Sequence, residues 1–192
     1  MKTKVFALCT MFSLSAFFTS CTKEEIVTAT DGSEVIELTE KNAPGTQPIA
    51  QIAIDAGFSE LVSALAYVDA ELNAGLVNLF LNGTDQYTVF APTNQAFLNL
   101  YGALGVDSID DLPADLVLDV LLYHVVEGRR SSNSVVPKRN TRNISTLLGV
   151  NFTVNPQAQI TAVGNTANIV TANISASNGV IHVIDAVILP IN

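Results

Sequence analysis

The chain has 192 residues, with 18 acidic against 9 basic side chains, a net charge of -9 and a pI near 4.4. An apolar content of 48% with only 14% charged residues excludes a disordered chain. The acidity also argues against nucleic acid as a partner, because phosphate binding needs a basic field. The length allows one ordinary domain with a tail, and with no Trp, two His and two Cys neither a metal cluster nor a disulfide scaffold is expected.

The N-terminus carries Lys2 and Lys4, then an uncharged, mostly apolar run of 14 residues from Val5 to Phe18. That is too short for a membrane-spanning helix and fits the core of a signal peptide. Thr19-Ser20-Cys21 follows, and the segment resembles a bacterial lipoprotein signal, in which cleavage precedes a cysteine that is then acylated. Phe18 and Thr19 depart from the usual Leu and small residue of that pattern. The resemblance implies a signal peptide at 1–20 and lipidation of Cys21. Cys9 leaves with the signal, so the mature chain keeps a single cysteine and forms no intrachain disulfide. Acyl chains contribute about 0.8 kcal/mol per buried methylene, which makes such an anchor stable. Lys23-Glu24-Glu25 resembles the surface-export signal of some Gram-negative lipoproteins. Together these imply an outer-membrane, lipid-anchored protein facing outwards, with the periplasmic face as the other location. Residues 21–47 are polar, broken by Asp31-Gly32-Ser33 and Asn42-Ala43-Pro44-Gly45, and are expected to be the lipidated N-terminus and a flexible tether. A coil of that length reaches about 25–30 Å.

Residues 48–192 are expected to form a single domain. Leu61, Val62, Leu65, Val68 and Leu72 mark a helix over 58–72, with Ser59 as its expected cap. Tyr87 to Ala91 reads as a strand ended by Pro92, and Thr93 offers a cap for a short helix through Phe97 and Leu100. Pro113 suits a helix start, after which Val117, Val120, Leu121 and His124 share one stripe. Strands are expected at 151–154, 160–163, 167–170 and 180–189, separated by Asn, Gly and Pro, and the last is apolar on both faces. Helices before strands give an α+β fold.

Three segments carry a family resemblance. Residues 87–97, YTVFAPTNQAF, residues 123–128, YHVVEG, and residues 178–190, NGVIHVIDAVILP, resemble, in order and spacing, the signature blocks of the fasciclin domain. The resemblance covers about 49–190. It implies a single fasciclin-like domain, a wedge of β-sheet with several helices packed at its side. Thr93, Tyr123, His124, Asn178, Gly179 and His182 are its structural signature. Thr93 caps, Asn178-Gly179 supplies a turn that tolerates positive φ, Tyr123 needs a hydroxyl partner, and both histidines are read as buried and hydrogen-bonded.

No G-x-S-x-G, H-E-x-x-H, P-loop or C-x-x-C occurs, so no enzyme, cofactor or metal role is expected. The resemblance implies a non-enzymatic adhesion module that binds a protein or glycan at the cell surface or matrix and touches the membrane only through its lipid. The integrin-contact Asp-Ile of animal members is Asn173-Ile174 here and no Arg-Gly-Asp is present, so integrin binding is not carried over. The alternative is a membrane-tethered carrier or sensor of a small ligand, which requires a concave apolar pocket. Arg129, Arg130, Lys138, Arg139 and Arg142 lie in a window without acidic residues, read as exposed loop. They are a candidate patch for a polyanion or an acidic partner, set against a solvated loop that offsets neighbouring acids.

Overall fold

The computed structural model describes residues 44–191. The signal peptide, Cys21, Lys23, Glu24, Glu25 and residues 22–43 of the expected tether lie outside the described residues. From Gly45 the chain is already bonded to the domain: the Gly45 N–H donates to Ala176 O at 3.2 Å and the Ser177 N–H to Gln47 O at 2.8 Å.

Three helices come first: α1 (Ile49–Asp55), α2 (Ser59–Leu72) and α3 (Leu76–Asn82). Strand β1 (Tyr87–Pro92) leads into α4 (Asn94–Leu104), a single 3-10 turn (Ile109–Asp111) and α5 (Ala114–Tyr123). The remainder is β2 (Val125–Glu127), a short α6 (Ser132–Val135), β3 (Arg142–Ser145), β4 (Asn151–Val154), β5 (Gln159–Thr161), β6 (Thr166–Ala176) and β7 (Gly179–Ile184). The α+β expectation holds. The sequence reading omitted α1, α3, β2, α6 and β3, and stretched the last strand five residues too far, to 189.

The omission of α3 has a tertiary cause. The first two N–H groups of α3, at Leu76 and Val77, donate to the Asp69 carboxylate on α2, each at 2.8 Å. The cap belongs to another helix, so nothing within 76–82 announces it. Ser59 does not cap α2. Asn94, at the start of α4, accepts the Glu60 N–H at 3.2 Å and donates to Gly57 O at 2.9 Å, tying the two helix starts together. Thr93 behaves as expected, accepting the Ala96 N–H at 3.2 Å.

The strands form one sheet in the order β2-β1-β7-β6-β5-β4-β3. Only the β1–β7 pair is parallel. Strand β7 sits inside the sheet with all six residues buried, which accounts for its apolar character on both faces. Alternation divides the core. Val89, Ala91 and Ile181 join the cluster beneath α1–α5, whereas Phe90 and Ile184 join Tyr123, Ile144, Phe152 and Ile160 on the other side. Phe90 and Tyr123 both meet the Phe152 ring edge-on, at 5.1 and 5.9 Å.

The turn before β7 is made by Ser177 and Asn178. Gly179 serves close approach: a Cβ there would lie 2.1 Å from Tyr87 O. After Ile184 the chain leaves the ladder and runs on as a strap. Asn165 donates to Val187 O at 2.7 Å and accepts the Leu189 N–H at 3.0 Å, and the Gly164 N–H donates to Leu189 O at 3.1 Å. These contacts replace strand pairing. Val187 packs into the helical cluster and Ile188 into the other, so the strap pins both halves of the core.

Candidate functional site

The signature residues lie at the end of α5, along β7 and at the turns beside it. His124 follows α5 directly and is 3% exposed. Its Nδ1 lies 2.7 Å from Val120 O, and its Nε2 accepts the Ile188 N–H at 3.0 Å. A carbonyl needs a donor and an N–H an acceptor, so the proton sits on Nδ1. Burial pushes its pKa down to about 4, against the opposing pull of the Val120 carbonyl, and the ring is neutral.

His182 is the mirror case. Its Nδ1 accepts the Asn173 N–H at 3.3 Å and its Nε2 meets Arg130 O at 2.9 Å, so here the proton sits on Nε2. Burial lowers its pKa too. The ring packs 5.5 Å from Phe90, its register partner on β1. Asn173 is left-handed, with φ 66°, at an irregular stretch of β6. Its side chain exchanges two 2.7 Å bonds with the Ser132 N–H and hydroxyl. The Asn173-Ile174 position is therefore a structural clamp. The Tyr123 hydroxyl finds its partner in Asn151 O at 3.1 Å. Asn178 is buried, and its amide holds two helices: it accepts the Ile49 N–H at 2.8 Å and donates to Phe80 O at 3.0 Å. Every buried side-chain N or O atom among the described residues has a partner.

The five cations are not equivalent. The Arg129 guanidinium is directed at the β6–β7 turn, where Nη1 donates to Ala176 O at 2.8 Å and to Gly179 O, and Nη2 to Ser175 Oγ. Arg130 donates through Nε to Glu127 O at 3.2 Å, and Arg142 through Nη1 to Ser134 O. Lys138, Arg139 and Arg142 are exposed. Arg142 opens β3, so the window read as loop includes a helical turn and a strand start. Sequence reasoning grouped Arg129 with the surface cations because charge alone does not show where a guanidinium points.

A cavity of about 90 Å³ lies between α2, α4, α5 and the strap. Composition does not reveal it, since a lining residue and a packed core residue look alike in sequence. Among the described residues no helix is long and apolar enough to cross a membrane, and no group of three or more His, Cys, Asp or Glu is placed to hold a metal ion.

The chain is similar in sequence to known proteins. Immunogenic protein MPB70 of Mycobacterium bovis is 38% identical over 135 residues, covering 68% of this chain and 64% of the relative. Cell surface glycolipoprotein MPB83 of the same species is 38% identical over 136 residues, covering 69% of this chain and 55% of the relative. The chain thus spans less than two thirds of either mycobacterial protein. Protein sll1483 of Synechocystis is 34% identical over 185 residues, covering 90% of this chain and 94% of the relative. A solved FAS1 domain pair from the insect cell adhesion molecule fasciclin I aligns at a TM-score of 0.48 and 17% identity, over 68% of this chain and 45% of that one. The fasciclin domain profile matches residues 56–190, which include the histidines, the Asn178 clamp and most of the strap. The chain belongs to the fasciclin domain family.

Proposed function

We propose that this chain is a lipid-anchored surface protein whose fasciclin domain works by binding a partner, as an adhesion or matrix- and glycan-contact module. The observation that carries the reading is the similarity to a protein named a cell surface glycolipoprotein, over 69% of the chain. The site chemistry supports binding over catalysis: both histidines are neutral, and each ring nitrogen is engaged in a backbone hydrogen bond. In this reading Cys21 is the lipidation site, Lys23-Glu24-Glu25 directs the protein outwards, and residues 22–44 carry the domain clear of an outer membrane. Arg130, Lys138, Arg139 and Arg142 form the polyanion patch, with Arg129 assigned to the fold instead.

The test has two arms. Cys21→Ser should abolish detergent partitioning, and protease shaving of intact cells should remove the wild-type domain. Full protection would move the domain to the periplasmic face. For contact with polyanions, wild type should be retained on a heparin column and eluted by salt, since exposed charges are screened over about 8 Å at physiological ionic strength. Changing Arg130, Lys138, Arg139 and Arg142 together to Ser should lose that retention without altering the fold. Equal retention of both proteins would reduce the cations to a solvated surface.

A further inference from the structure

The helical side of the domain is underpacked at one place. The cavity of about 90 Å³ is accompanied by a second, of about 30 Å³, that shares Leu61, Leu121 and His124 as walls. Protein interiors pack to crystal density, and an unfilled cavity weakens a fold in proportion to its volume. Two such voids on one side of the sheet therefore mark a place where the sequence has not optimised stability.

The walls of the larger cavity present carbon. Ala64 from α2, Phe97 from α4, Leu116 and Val120 from α5 and Leu189 from the strap supply much of the lining. His124 also reaches it, yet both of its nitrogens are spent on Val120 O and the Ile188 N–H, so it offers ring carbons. Leu104 and Ile191 line the same space while 51% and 53% exposed, which makes them the rim of its mouth. On the strap, Val187, Leu189 and Ile191 face the cavity at every second residue. Nothing in this lining offers a hydrogen bond to orient a polar ligand, so the occupant is held by apolar contact.

Size and charge narrow the class. The cavity is smaller than an engineered cavity of about 150 Å³ that takes up benzene, so it admits the end of a hydrocarbon chain and leaves the rest to pass the rim. No Lys or Arg occurs from 44 to 128 or from 143 to 191, while Asp107, Asp110, Asp111 and Asp115 are exposed between the end of α4 and the start of α5. A carboxylate or phosphate head at the mouth is disfavoured by these acids; an uncharged head is not.

We propose that this cavity binds the hydrocarbon tail of an uncharged amphiphile, entered between Leu104 and Ile191. The site uses none of the cations of the adhesion reading, and the two stand or fall separately. The chain has no tryptophan, so Leu104→Trp places a single fluorophore at the mouth. Leu98→Trp, exposed on the same helix and outside the lining, is its control. With 1-dodecanol as the probe, Leu104→Trp emission should shift to the blue and saturate, Leu98→Trp should stay still, and dodecanoate should bind at least tenfold more weakly. Val120→Phe, added to Leu104→Trp, fills the cavity and should remove the shift while the unfolding temperature holds or rises. Ala64→Leu fills it from α2 and should give the same loss. No shift at Leu104→Trp, an equal shift at Leu98→Trp, or a shift that survives both filling variants would overturn the site. Equal affinity for dodecanoate would overturn the uncharged head. Heparin retention should be unchanged by Val120→Phe, so the adhesion reading is judged by its own column.

Discussion

His124 and His182 show how one residue type performs two fastening tasks through opposite tautomers. In His124 the Nδ1 proton goes to α5 and Nε2 holds the strap, whereas in His182 the Nε2 proton goes to the Arg130 carbonyl and Nδ1 holds β6. The consequence for pH has a definite sign. Folded His124 titrates near 4 and an unfolded histidine near 6.5, so between those values the unfolded chain binds the extra proton. Stability should therefore fall as pH drops from 6.5 to 4, by about 3 kcal/mol from this residue. His124→Gln should flatten that dependence, read by urea unfolding at each pH; an unchanged slope would remove His124 as its source. His124→Ala should cost about 2–4 kcal/mol at neutral pH, through a cavity and an orphaned Ile188 N–H. Arg129→Met should destabilise by about 1–3 kcal/mol, because the β6–β7 turn loses a charged donor shared among two carbonyls and a hydroxyl, and heparin retention should not change. Loss of retention with full stability would return Arg129 to the surface patch. The buried state of both histidines was legible from their apolar surroundings in sequence. Their partners were not, because Ile188 lies 64 residues from His124 and Arg130 lies 52 from His182.

At the scale of elements, legibility follows where an element's determinants sit. Strand β1 and helix α4 carry theirs locally, in a β-rich run, Pro92 and the Thr93 cap, and both were read from sequence. Helix α3 is capped by Asp69 on α2, and β2 is a short edge strand whose partner β1 lies upstream of α4 and α5. Their signal is tertiary, so a periodicity argument passes over them. The last run of the chain misled in the other direction. Val187, Leu189 and Ile191 keep a strand's alternation, but Asn165 and the 162–165 loop take the backbone groups that a neighbouring strand would need. Asn165→Ala should loosen the strap by about 1–3 kcal/mol and speed amide exchange at Leu189 while leaving β7 protected. Equal protection at Leu189 in the variant would show that packing alone holds it. Gly179→Ala should be among the most damaging single-methyl changes, because the added carbon meets the Tyr87 carbonyl rather than a movable side chain. An unfolding temperature like wild type would mean that the two strands can part there without loss.

For the molecule as a whole, charge is segregated more sharply than its total conveys. Residues 44–191 carry twelve carboxylates and five cations, and all five cations fall between 129 and 142. The stretch from α1 to β2 thus carries acids without a cation, and self-repulsion there opposes compaction. Raising salt from 20 to 300 mM should raise the unfolding temperature by about 2–4 °C, read by circular dichroism; no change would show that the acids are too far apart to interact. The placement of β7 has a further outcome, in the order of events rather than in energy. The strand that joins β1 to β6 is the last in chain order among the described strands, and its neighbour β1 lies ninety-odd residues upstream. A chain threaded through a secretory pore from its N-terminus, as the proposed leader requires, cannot close this sheet until residue 184 has emerged. Early segments have only an incomplete sheet to join, so closure of the sheet is a late and non-local step that waits for β7.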